Sequence, residues 1–235
     1  MSGIDYTLLV DETGVDGTSK RVMYVGCLFE TSELEGVETA ILAFNQRCLD
    51  DPLYSGHTGL VNASDEPRHF VDDSESLRVR FIDEVVRSLP FRVYAIFDTP
   101  KATVRASKVD LFKAFIDHVR QVREIGTLKV IIERSGADDK HLEQCGAEFK
   151  PKEYLALGIA DYYGAILHRF HEKRLELIAN GNALRRRELN SLAINHYSVL
   201  VDRVSLERDL STGEKSSRKD GRYFLQQIHD MVSSD

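Results

Sequence analysis

The order of apolar and polar positions along the chain predicts alternating strands and helices. Ile4 to Val10 is apolar on both faces: Tyr6, Leu8 and Val10 share one side and Leu9 lies on the other. Such a run suits a central strand buried between layers. It leads into Asp11-Glu12-Thr13-Gly14 and Gly17, a turn, and Arg21 to Phe29 predicts a second strand in a hairpin with the first. Leu34, Val37, Ile41 and Phe44 recur at three- and four-residue spacing and predict a helix over 34–49. Residues 50–67, rich in Gly, Asp, Ser and Pro, read as a loop. Asp73, Ser74 and Ser76 offer caps for a helix carrying Leu77, Phe81, Ile82, Val85 and Leu89, which Pro90 ends.

Phe91 to Phe97 predicts a strand ending in Asp98, Val109 to Val122 an amphipathic helix, and Leu128 to Ile132 a short strand ending in Glu133. Glu153 to Phe170 is a helical pattern apolar nearly all round, hence buried or interfacial, which leaves a second copy of the chain as a candidate partner. Beyond it the pattern weakens. Glu172 to Arg187 reads as a continuation of the helix or a loop around Gly181. Ser198 to Val204 reads as a strand, Leu210 to Gly221 as a mobile polar loop, and Tyr223 to Met231 as a last short helix. Strands alternating with helices imply a layered α/β domain with a partly parallel, mixed sheet.

Composition narrows the class. The 235 residues are 42% apolar, enough for one large core. The expected organisation is a domain over 4–171 and an extension over 172–235 packed on it. A net charge of −7 argues against a general nucleic-acid coat but is compatible with a nuclease bearing a local basic patch. Cys27, Cys48 and Cys145 are widely spaced, form no C-x-x-C, and read as three reduced thiols of a cytoplasmic protein. No signal pattern precedes Tyr6 and no apolar run approaches the length of a membrane span.

The chemistry is carried by acids. Three predicted strands end in one: Asp11, Asp98 and Glu133. Ligands of α/β sheets collect at the carboxyl ends of strands, and parallel strands bring these carboxylates to one edge. Carboxylates brought together repel unless a cation or proton neutralises them, and an all-oxygen set suits Mg²⁺ or Mn²⁺. Each acid alone reads more readily as a turn or cap residue, and only three such strand ends together bring the two readings level. Asp161 lies in the most apolar helix, where a carboxylate needs a partner. Gly158 and Gly164, three residues either side, suggest a close backbone approach to the sheet.

Three segments resemble a known family. Tyr6-x-x-x-x-Asp11-Glu12-Thr13-Gly14 is similar to a first strand ending Asp-Glu-Ser-Gly, with Thr13 keeping the hydroxyl. Arg68-His69-Phe70, followed by a helix with Arg78, resembles the same family's histidine and following helix. Ile159-Ala160-Asp161-Tyr162-Tyr163-Gly164-Ala165 resembles its late Ala-Asp-Leu-Ile-Ala-Gly helix. The family is domain of unknown function 3800, and the likeness covers roughly residues 4–171. It implies a ribonuclease-H-like mixed sheet flanked by helices and a metal-dependent nuclease cutting a phosphodiester of DNA or RNA. In that reading Asp11, Asp98 and Asp161 ligate metal, and Glu12 and Glu133 are further candidate ligands. Glu12 ranks lower because adjacent strand residues point to opposite faces. His69 is a candidate acid, base or phosphate-positioning group, and Lys101 and Arg134 are candidate phosphate contacts.

Other readings compete. A non-catalytic interaction or regulatory protein that kept the fold is favoured by the acidic balance. Asp11 as the nucleophile of a haloacid-dehalogenase-like phosphatase lacks the second Asp, since Thr13 stands there. Gly14 to Lys20 fails the phosphate-loop pattern. His168, His171 and Cys145 lack the cysteine pair of a zinc site, and Arg185-Arg186-Arg187 with Lys173 and Arg174 has no interleaved aromatics for stacking on bases.

Overall fold

The computed structural model describes residues 3–14, 22–55, 60–98, 108–122, 125–134, 139–179, 196–198, 200–217, 224 and 226–227. The strands are β1 (Ile4–Thr13), β2 (Val22–Glu30), β3 (Arg92–Asp98), β4 (Ile125–Glu133), β5 (Ala147–Lys150), β6 (Val204–Asp209) and β7 (Lys215–Ser217). The helices are α1 (Leu34–Leu49), α2 (Glu75–Phe81), α3 (Lys108–Val122), α4 (Asp139–Gln144) and α5 (Leu157–Ala179). The strands form one sheet in the order β5-β4-β1-β2-β3-β6-β7. β1 pairs parallel to β4, β4 to β5 and β3 to β6, while β6 and β7 are antiparallel. The sheet is therefore mixed, as the pattern predicts. Among the described residues no helix is long and apolar enough to cross a membrane.

The chain divides into two compact units. The first comprises Met1–Asp11, Gly26–Phe91 and Asp117–Tyr162, and the second Glu12–Val25, Arg92–Ile116 and Tyr163–Asp235. In the first unit, Leu8, Leu9, Ile131, Phe44, Phe70, Phe81 and Tyr162 are buried. Phe81 meets Phe44 edge-on at 5.1 Å between ring centres and lies 4.6 Å from Tyr162. In the second unit two polar side chains that α5 carries inward are each paired. His171 Nε2 lies 2.8 Å from Glu207 Oε1, whose other oxygen accepts from the Tyr197 hydroxyl at 2.6 Å. Arg174 donates to Glu214 at 2.9 Å and to Gln227 at 2.8 Å and stacks over Phe224.

Several elements differ from the expected ones. β1 runs on to Thr13, so Asp11 and Glu12 lie in the strand rather than in a turn. α2 is capped by Ser74, whose Oγ accepts from Leu77 N, and not by Asp73. It continues into a wider turn, Ile82–Val86, closed by Arg87 N donating to Ile82 O, which turns Ile82, Val85 and Val86 all inward. α5 starts at Leu157 because the preceding residues form tight turns on Pro151 and Tyr154, and it continues to Ala179. α4 and β5, six and four residues long, were too short to leave a periodic pattern. The strand expected over 198–204 is a 3₁₀ turn, Val201–Arg203, followed by β6. Part of the expected polar loop, residues 215–217, is β7. The turn at Gly17, Lys101, Arg185, Arg186 and Arg187, and most of the helix expected over 223–231, lie outside the described residues.

Truncating Phe81→Ala removes two ring contacts from a fully buried position and is expected to cost about 3–5 kcal/mol of unfolding free energy. Urea denaturation of the full chain checks it; a loss below roughly 1 kcal/mol would contradict this packing.

Candidate active site

The first unit gathers chemistry where the segment 66–73 meets the start of α5. Its support begins on α1: the fully buried Asn45 donates from Nδ2 to Ser64 O at 2.9 Å and to Glu66 O at 2.8 Å. Gly158 then sets the approach of α5. A Cβ placed on it would lie 2.8 Å from the Arg68 carbonyl oxygen, so only a glycine fits without a shift of the backbone. The close approach expected of this glycine is thus to the 68–70 segment and not to the sheet. Asp161, one turn on, accepts from Phe70 N at 2.7 Å through Oδ1, while its Oδ2 lies 3.5 Å from His69 Nδ1. From the other side Arg78 of α2 donates to Phe70 O and Val71 O, its guanidinium 4.5 Å over the Phe70 ring. The partner that a carboxylate in this helix requires is therefore a backbone N–H and an imidazole.

Arg68 is buried beneath the segment, 1% exposed. It donates to Asp73 Oδ1 at 3.0 Å and pairs with Glu66 at 2.7 Å. The other Asp73 oxygen accepts from the Tyr162 hydroxyl. Burial pushes the Asp73 carboxyl up to about 6, against the opposing pull of the Arg68 charge and the Tyr162 hydrogen bond. Burial, then the Asp73 charge, raises the Tyr162 phenol well above its usual value. A cleft of about 340 Å³ opens above this network, lined among others by Glu66, Arg68, His69, Asp72, Asp73 and Lys152. The chain positions missed as site candidates are Asp73 and Tyr162. No local sequence pattern marked either, because an acid before Ser74 reads as a cap and a tyrosine in an apolar helix as core.

At the strand ends, the β1–β4 register runs Leu9 with Ile131 and Val10 with Ile132. Asp11 and Glu133 are the next residue on each strand, so two half-buried carboxylates follow the last paired residues of adjacent parallel strands. The Cys27 thiol, pushed well up by burial, is raised further by the Asp11 charge. Its Sγ lies 3.9 Å from Ile159 O. Asp11 is thus close to a thiol that itself rests on the α5 turn bearing Asp161. Glu12 is engaged elsewhere, its Oε1 2.9 Å from Lys108 Nζ at the start of α3. Asp98 is the last residue of β3, in the second unit. Arg134 is exposed just past β4, with its backbone N–H donated to Lys150 O.

Among the described residues no group of three or more His, Cys, Asp or Glu side chains is placed to hold a metal ion by itself. His171, weighed as a zinc ligand, is committed to Glu207, and none of the three cysteines forms a disulfide.

No protein-family profile matches the chain, and no curated protein matches it in sequence. Among solved structures it is similar to Bst-RNase HIII in complex with Mn²⁺, at 11% identity and a TM-score of 0.41, over 83% of this chain and 65% of that one. It is similar also to a mutant protein of Bst-RNase HIII, at 11% identity and a TM-score of 0.37, over 83% and 64%. This chain spans less than two thirds of the length of either.

Two outcomes follow from the site. A methyl group at Gly158→Ala meets a backbone oxygen, which cannot swing away, and is expected to cost about 1–3 kcal/mol of stability in urea denaturation. Asp73 binds its proton more tightly folded than unfolded, so its contribution is full below the ordinary carboxylate range and is lost as pH rises through about 6. Asp73→Asn, neutral throughout, should therefore gain on the wild type by roughly 2 kcal/mol between pH 4 and about 7. Paired melts across that range check it; a difference independent of pH would rule out the raised carboxyl.

Proposed function

We propose that this chain is a divalent-metal-dependent hydrolase cutting a phosphodiester of nucleic acid, with Asp11 and Glu133 as its metal-holding carboxylates. The observation that carries this reading is their placement on adjacent parallel strands, one step past the Val10–Ile132 pair. Side chains at matching positions of neighbouring strands share a face and stand within reach of one ion. An oxygen-only pair fits Mg²⁺ or Mn²⁺. Mg²⁺ characteristically takes one or two protein carboxylates and fills the rest of its shell with water and substrate phosphate, so the lack of a larger protein cage among the described residues is compatible with it.

When bound, such an ion polarises the phosphoryl oxygen and acidifies the attacking water. The residues of the chain supply the rest. Asp11 and Glu133 fix where the phosphate arrives. His69 stands on the wall of the cleft beside α5, and Lys152, exposed on the same lining, offers an ammonium to a phosphate bound there. The motif resemblance to domain of unknown function 3800 supports the same reading.

Thermal melting of the full chain in Mn²⁺ and Mg²⁺ tests it. At about 100 times the dissociation constant, binding stabilises by about 2.7 kcal/mol, which for a chain of this size raises the Tm by roughly 5–10 °C. Asp11→Asn and Glu133→Gln should each abolish that rise and, with it, metal-dependent cleavage of a labelled RNA or DNA oligonucleotide. A wild-type Tm indifferent to both ions would sink the reading in favour of a non-catalytic binding protein.

A further inference from the structure

The α5 junction carries an assignment that the metal reading does not need. Both oxygens of Asp161 are already directed: Oδ1 accepts the Phe70 N–H at 2.7 Å, and Oδ2 faces His69 Nδ1 at 3.5 Å. The segment bearing that imidazole is held on three sides, by Asp161, by Arg78 on the carbonyls of Phe70 and Val71, and by the close approach that Gly158 permits. Rigid support of this kind is what a reacting side chain needs. The other ring nitrogen, Nε2, is shielded from solvent and has no hydrogen-bond partner among the described residues. A buried polar atom left unsatisfied calls for a partner, and His69 lines the 340 Å³ cleft.

We infer that Asp161 and His69 form a carboxylate–histidine dyad on the wall of this cleft. Asp161 holds the proton on Nδ1 and leaves Nε2 unprotonated; because Nε2 is shielded as the ring stands, a hydroxyl or water of the cleft's ligand reaches it only when the side chain shifts toward the cleft. Asp161 is then a positioning residue, acting through His69, and not a metal ligand. The hydrogen bond that one ring nitrogen makes decides the protonation of the other. The 3.5 Å separation is beyond a formed hydrogen bond, and contacts of this type tighten when a ligand is bound. In the proton step the ligand's O–H proton passes to Nε2, the electron pair stays on the oxygen, and the adjacent carboxylate stabilises the imidazolium. Only the use made of that oxygen rests on the phosphodiester reading; the dyad does not.

The test is ¹⁵N spectroscopy of the histidine side chains in the full chain at one neutral pH, with His69 assigned by its loss in His69→Gln. The wild-type ring is expected in the Nδ1–H form. Asp161→Asn keeps an oxygen for Phe70 N–H but loses the charge, so the tautomer preference should vanish while the Phe70 amide stays protected from exchange. A wild-type ring in the Nε2–H form, or one unchanged in Asp161→Asn, overturns the dyad; should that variant not fold, the wild-type tautomer decides alone. Mn²⁺ titration of the same proteins separates the two readings. Affinity unchanged in Asp161→Asn but lost in Asp11→Asn supports both, and affinity lost in Asp161→Asn makes Asp161 a ligand and ends the inference. Absence of Mn²⁺ binding in the wild type removes the metal reading only, and the tautomer still judges the dyad.

Discussion

The carboxylate of Asp161 is the constraint on which the candidate site depends. Its side chain is 28% exposed, so solvent meets part of the carboxylate, and the chain brings a backbone N–H and an imidazole to the rest from ninety residues upstream. Supplying them fixes the backbone of 68–70 against the first turns of α5. That contact in turn leaves no room for a side chain at Gly158. One carboxylate is thereby tied to a glycine in a helix, the path of a loop, and the position of an imidazole. None of these is favourable alone: the glycine weakens the helix and the ordered loop loses entropy.

Beneath that contact lies a second charge arrangement with a different character. Arg68 is almost fully buried yet has two carboxylates, of which Asp73 also takes a phenol. Removing one partner of a buried set is costly because it strands the others, even where the set as a whole adds little to stability. The arrangement therefore specifies geometry more than it stabilises. It does so next to an open cleft, where a segment free to move would blur the position of His69.

What the sequence made legible was decided by length and periodicity. β1, β2, α1, β3 and α3 each carry enough consecutive apolar positions to declare their type, and all were expected near where they lie. The four residues of β5 and the three of β7 cannot repeat any period, and β6 hides buried Glu207 and Asp209 among its apolar positions, so it reads as polar. The site followed the same logic. Asp161 stood out because its surroundings were wrong for it, and Gly158 because a helix does not want it. Asp73 and Tyr162 did not stand out: an acid before Ser74 looks like a cap, and a tyrosine in an apolar helix looks like core. Their meeting is a tertiary fact, set by the angle at which 66–73 crosses α5, and no local pattern encodes that.

The two outer strands have a consequence for how the molecule behaves among its own copies. A sheet margin is a row of backbone donors and acceptors open to any passing strand. Here one margin is the four-residue β5, where Glu148 is flanked by Lys150 and by Lys129 of the next strand, at 2.8 Å each. Among the described residues the other is β7, which begins with an exposed lysine. A foreign strand docking on either would gain only a few hydrogen bonds, and on the β5 side would have to settle beside fixed charges. Among the described residues, brevity and charge at the borders thus work against growth of the sheet by self-addition.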